Sequence, residues 1–213
     1  GLTDAHIHLV EWALARKMAD LSAARTPEAA VELVVRHAAD RPDDAWVHGT
    51  GWNPHRWGGA YPDRTLLDRA LPDRPVALQS HDMHALWVNG AALERAGITD
   101  HTPDPPNGRI VRDADGRATG VLLEYAGLLV NRAAPAPSLD IALDAVAEAQ
   151  QALHQYGITG VHAFPNVHAQ GLPPLLVLQA LRAQGRLDLR VLQHLPAERL
   201  DEIIGIGLRS GFG

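Results

Sequence analysis

From Ser138 onward the chain alternates apolar runs of strand length with helical stretches, and this alternation restricts the fold more than any other feature. Ser138 can cap a helix that carries Leu139, Leu143, Val146 and Leu153 at helical spacing and closes near Gly157. A buried strand is expected over 158–164, a Leu-rich helix over 173–183, a strand over 187–195 and a short helix over 198–206. Such an order implies parallel βαβ units with right-handed crossovers, and neither a sandwich nor a bundle fits it.

The first residues carry the chemistry. The run 2–9, Leu-Thr-Asp-Ala-His-Ile-His-Leu, reads as a strand. A period of two then puts Asp4, His6 and His8 on one face and Ala5, Ile7 and Leu9 on the other. Two neutral imidazoles at i and i+2 near a strand end can turn toward one ion, and zinc is among those they suit. Taken alone, the pair fits a hydrogen-bonded structural role equally well. Zinc takes four ligands, or three and a water, so His6 and His8 would need partners from elsewhere. His162 and His194 lie at or near the ends of predicted strands, as His8 does, where barrels and open sheets gather their active sites.

Between these parts, 12–24 is apolar, Ala-rich and reads as helical. Thr26-Pro27-Glu28 is a helix start whose apolar face, Val31, Leu33, Val34 and Val35, runs to Asp40-Arg41-Pro42. Composition then shifts toward Trp, Gly, Pro and Asp, with strand-like runs at 45–49, 75–79 and 85–88. Asn89 can cap a short helix ending at Gly97, and 109–112 with 119–123 flank 113–117 as a hairpin. Three segments follow: 1–42, an inserted α+β subdomain over 43–137, and 138–213.

A chain of 213 residues, 46% of them hydrophobic, can bury a real core. A net charge of -6 without long like-charge runs argues against nucleic acid as a partner. No apolar run reaches membrane-spanning length and no signal-peptide layout is seen, so no membrane is expected and the location reads as cytoplasmic. Without cysteine, a metal site must use His, Asp, Glu or a modified Lys. The start at Gly1 and the stop at Gly213 both read as cut ends.

Several blocks, in order, resemble the amidohydrolase superfamily in its YtcJ-like branch. They are Gly-Leu-Thr-Asp-Ala-His-Ile-His-Leu at 1–9, Gly-Thr-Gly-Trp-Asn-Pro at 49–54, and His-Ala-Leu-Trp-Val-Asn at 84–89. Asp-Pro-Pro-Asn-Gly-Arg-Ile at 104–110, Gly-Val-Leu-Leu-Glu at 120–124 and Gly-Ile-Thr-Gly-Val-His at 157–162 complete the set. The resemblance implies an α/β fold: a partial TIM-type (β/α)8 barrel of about three βα units carrying the inserted subdomain. It implies hydrolysis of amide, formamide or cyclic amide carbon–nitrogen bonds by metal-activated water, on a small-molecule substrate. His6 and His8 match the first pair of ligands for a divalent metal, with zinc expected, and the general base is expected beyond Gly213.

His84, Trp52 and His162 are the candidate substrate contacts, although the tryptophans also suit the insertion's own core and His162 a loop hydrogen bond. Asp4 suits either orientation of a ligand imidazole or a backbone bond. Glu124 suits a general acid, or more cheaply a salt bridge to an arginine. His81 reads as structural, and His37, His101, His154 and His168 as surface. The turn 113–117 lacks the spacing of a calcium loop. Two alternatives stand beside the enzyme fragment. One is a non-catalytic module whose open strand edges favour a homo-oligomer. The other is a small complete hydrolase whose metal is finished by His162, His194 or His84.

Overall fold

The computed structural model describes residues 1–165 and 172–209, so the expectation for His168 lies outside the described residues. The chain begins with β1 (Leu2–Ile7) and α1 (Leu9–Ala15). It continues through β2 (Ala19–Asp20), α2 (Pro27–Ala39), β3 (Val47–Trp52), α3 (Thr65–Ala70), β4 (Val76–Ser80) and β5 (Ala85–Val88). Next come α4 (Gly90–Arg95), β6 (Gly108–Arg112), β7 (Ala118–Glu124) and α5 (Gly127–Ala133). Last are α6 (Leu139–Gln155), β8 (Ile158–Ala163), α7 (Pro174–Ala183), β9 (Arg190–Gln193) and α8 (Leu200–Gly205). Among the described residues no helix is long and apolar enough to cross a membrane.

Contacts divide the chain into two compact units, Gly1–Lys17 with Ala136–Gly213, and Met18–Pro135. The first unit holds a parallel three-stranded sheet in the order β1-β8-β9. Ser138 accepts a hydrogen bond from Ile141 N and starts α6 where a cap was expected. From α6, Leu143, Val146, Ala149 and Leu153 meet Leu9, Val10 and Ala13 of α1 and Val177, Leu178 and Leu181 of α7 over one sheet face. Alternation sends Val161 and Ala163 of β8 into that core. The opposite face carries Thr3, Gly160, His162, Arg190 and Leu192 around a hollow of about 230 Å³.

The second unit is built on a six-stranded mixed sheet in the order β2-β3-β4-β5-β7-β6. Pairing is parallel from β2 to β4 and antiparallel from β4 outward to β6. Both faces are covered, which is why its strands read as continuous apolar runs. Val76, Leu78, Trp87 and Val121 pack with Ala30 and Val34 of α2 and Leu67 of α3. Their neighbours Ala77, Leu86, Val88 and Leu122 pack with Ala92 and Leu93 of α4 and Val130 of α5.

Three expectations need correction. The helix anticipated over 12–24 is α1, which stops at Ala15; a turn and β2 follow. The boundary anticipated at 42/43 lies at 17/18, because Ala19 and Asp20 pair with Gly49 and Thr50, and α2 is part of the second unit's core. A two-residue strand has no periodicity to read, whereas the composition shift at Asp43 was conspicuous. The other boundary falls at 135/136 rather than 137/138. The helices α3 and α5 carry no side-chain cap, which removes the signal that marked α2, α4 and α6.

Asn89 ties the second unit together. It is fully buried; its Oδ1 accepts from Val76 N at 2.9 Å and Ala92 N at 3.0 Å, and its Nδ2 donates to Leu71 O at 2.8 Å and Arg74 O at 2.9 Å. Replacing it with alanine would strand buried backbone groups that each cost ~1–3 kcal/mol when unpaired. Asn89→Ala is expected to lower the unfolding free energy by about 3–5 kcal/mol in urea titration. An unchanged midpoint would show that the bonds do not form in solution.

Candidate functional site

Each unit carries one cluster of chemically capable side chains. In the first, β1 ends at Ile7 and His8 immediately precedes α1, so His6 and His8 stand exposed at the C-terminal end of the parallel sheet. Their ring centroids are 5.5 Å apart and nearly perpendicular. His8 Nδ1 lies 3.1 Å from the carbonyl oxygen of Phe164, whose own N–H donates to Ile7 O. A proton on Nδ1 shared with that carbonyl leaves the Nε2 lone pair for an ion, which is how a ligand imidazole is commonly held. The His6 ring stacks on Phe164 at 4.0 Å, and His194 stacks on the same ring at 3.9 Å. Phe164 is therefore held between two imidazoles.

The donor chemistry fits a divalent cation as far as this pair goes. His162 lies 5.7 Å from His194, ring to ring, and the buried Nε2 of His194 has no hydrogen-bond partner among the described residues. Yet no group of three or more His, Asp or Glu side chains among the described residues could hold a metal ion. Among the described residues His162 and His194 thus do not form a three-ligand group with His6 and His8. Asp4 takes one of its two expected roles. An extra residue in β1 sets Asp4 beside Val161 and Ile7 beside Ala163, so strict alternation with His6 is broken. The Asp4 carboxylate accepts from the backbone N–H of His6 at 2.9 Å, the backbone role rather than the imidazole one.

The second cluster surrounds a cleft of about 400 Å³ lined by Tyr61, His84, Asn107, Gly108, Arg109, Leu123 and Glu124. His84 Nδ1 lies 3.1 Å and 3.2 Å from the two oxygens of Glu124, so Glu124 pairs with a histidine rather than an arginine. This hydrogen bond, then the carboxylate's charge, holds the His84 pKa above its ordinary value. The backbone is strained here: Met83, Asn107 and Glu124 are non-glycine residues with φ of 67°, 57° and 52°. Such conformations cost ~1–3 kcal/mol each and persist where surrounding structure imposes them. Gly108 is required by close approach, since a Cβ there would stand 2.3 Å from Ala126 N.

Trp52 is a correction. It is fully buried, its indole N–H donates to Leu78 O at 2.7 Å, and its ring stacks on Trp57, so it belongs to the second unit's core and lines neither the cleft nor the hollow described above. His84 does line a cleft, and His162 the hollow of the first unit. His81 is exposed, its backbone N–H bonded to Trp52 O. His37 is half-buried rather than a surface residue; burial, then Arg41, lowers its pKa. Phe164, Tyr61 and Arg109 were missed. Phe164 had a signal, because two-residue spacing from His162 places both on one face of an extended chain. Arg109 emerges only from the hairpin register that sets it opposite Leu123.

The amidohydrolase family model matches residues 1–213. The Bacillus subtilis protein YtcJ, named as an amidohydrolase, is 36% identical over 164 residues, covering 76% of this chain and 31% of that protein. The N-substituted formamide deformylase of Arthrobacter pascens is 38% identical over 136 residues, covering 62% of this chain and 25% of that protein. The chain thus spans less than a third of the length of either. Its fold is similar to that of an uncharacterized metal-dependent hydrolase from Pyrococcus horikoshii, with TM-score 0.69 and 24% identity over 97% of this chain and 38% of that one.

The His84–Glu124 pair makes a spectroscopic prediction. The His84 imidazole should titrate by NMR above the ordinary histidine value and return toward it in Glu124→Gln. Because the folded pKa is raised, the pair's contribution to stability is full below the unfolded pKa and is lost as pH rises through the folded one. Identical titrations in both proteins would mean that the pair does not form.

Proposed function

Because this chain belongs to the amidohydrolase family, we propose that it is the early part of a metal-dependent hydrolase cleaving carbon–nitrogen bonds of small amide-type substrates. A partial (β/α)8 barrel is the architecture that goes with this reading, and the parallel order β1-β8-β9 with α1, α6 and α7 on one face supports it. The observation that carries the proposal is the placement of His6 and His8 at the strand end, with the His8 Nδ1 bound to the Phe164 carbonyl.

His6 and His8 are the proposed ligands of a divalent cation, zinc first by the preference of imidazole donors. The chemistry that such an ion supplies is Lewis acidity toward an amide carbonyl and toward water. The chain's own contribution is orientation. The Phe164 carbonyl selects the His8 tautomer, and stacking on the Phe164 ring limits rotation of His6. His162 and His84 are proposed as substrate contacts, and no residue of the chain is assigned as general base. The 213 residues alone are proposed to lack turnover, a reading supported by the incomplete donor set among the described residues.

The Arthrobacter relative's name suggests N-substituted formamides as a first substrate class to assay. In the intact protein, His6→Ala and His8→Ala should each lower kcat/KM by about a thousandfold or more, some 4 kcal/mol of transition-state stabilisation. Elemental analysis should show bound metal falling in the same variants. Normal turnover in the double variant would sink the assignment.

A further inference from the structure

Among the described residues, the three non-glycine positions with left-handed backbone gather at the second unit's cleft. Asn107 and Glu124 line it, and Met83 is joined directly to His84. Methionine and glutamate tolerate that conformation poorly, and a chain that keeps them there gains the direction in which their neighbours point. The register explains how. His84 O accepts from Glu124 N, Glu124 is opposite Gly108, and in the next row Ala85, Leu123 and Arg109 lie side by side. Two potential cations, His84 and Arg109, are thereby brought to one cleft with Glu124 and the apolar surfaces of Tyr61 and Leu123.

Charge selects the ligand. Arg109 makes no hydrogen bond or ion pair among the described residues, so its guanidinium has five free donors. Glu124 from β7 and Asp82 from the turn before β5 both favour the protonated form of His84, while Arg109 from β6 lines the same cleft. With His84 protonated, the cleft lining carries two positive groups and the Glu124 carboxylate, while Asp82 acts on His84 and Asp104 on Arg109 from outside the lining. A guanidinium fork and an imidazolium N–H lining one cleft suit a planar carboxylate.

We propose that this cleft binds a small monocarboxylate with an apolar or aromatic body, its carboxylate held by Arg109 and His84 and its body set against Tyr61 and Leu123. The inference deepens the reading of His84 as a substrate contact and rests on it. It assigns a ligand class without reference to His6, His8 or a metal.

The test is calorimetric titration of the intact protein with benzoate and, separately, with benzamide, its uncharged counterpart, at about pH 6 where His84 carries its proton. Saturable benzoate binding is expected, with affinity at least about tenfold above that for benzamide. Arg109→Gln and His84→Gln, both at exposed positions, should each weaken benzoate at least about tenfold while leaving the amide NMR spectrum of the unit's core unchanged. Conservative Arg109→Lys should recover part of the loss, which a merely structural role would not predict. Absence of saturable benzoate binding, or equal binding by the Gln variants, would overturn the proposal. Because no turnover is measured, such a failure is distinct from failure of the hydrolase reading.

Discussion

The parallel pairing of β1 with β8 is the constraint on which the first unit depends. Thr3 lies opposite Gly160, and Ile7 opposite Ala163. That register brings the end of β1 to the end of β8, so His6 and His8 meet Phe164 although more than 150 residues of sequence separate them. It also explains Gly160, since a Cβ there would stand 3.0 Å from the Thr3 hydroxyl and 3.4 Å from the Arg190 guanidinium. The helices α1, α6 and α7 stabilise the arrangement by burying the sheet's other face. Full burial of one leucine there is worth ~1.5–3 kcal/mol. The histidines contribute little to that core and are carried by it.

The second unit solves a different problem. With helices on both sheet faces, alternate residues of β4, β5 and β7 fill two separate cores. Asn89 is admitted because all four of its hydrogen-bonding positions are used. The left-handed residues stand at the strand ends, where the ladder no longer dictates backbone conformation. Stability is concentrated in the layers and chemical capacity at their rims, a division of labour common to folds that support many reactions.

What could be read in the sequence followed from local rules. Thr26, Asn89 and Ser138 announced α2, α4 and α6 because a short polar side chain before an apolar run meets an unpaired backbone N–H. The strands β5 and β8 were legible because apolar runs of that length fit a buried sheet, and six ordered blocks carried the family. What was not legible lacked a local signature. The strand β2 is two residues long, α3 and α5 have no side-chain cap, and the bulge that breaks the alternation between Asp4 and His6 is a property of pairing.

The sequence by itself determined the alternation of strands and helices, the donors available to a metal, and family membership, since each follows from residue type and spacing along one chain. Only tertiary structure decided that Trp52 is core, that Glu124 partners His84, and that Phe164 lies between His6 and His194. These outcomes depend on sheet register. A shift of one residue in pairing exchanges the faces of a strand, and nothing local in the sequence specifies which distant strand will be its neighbour.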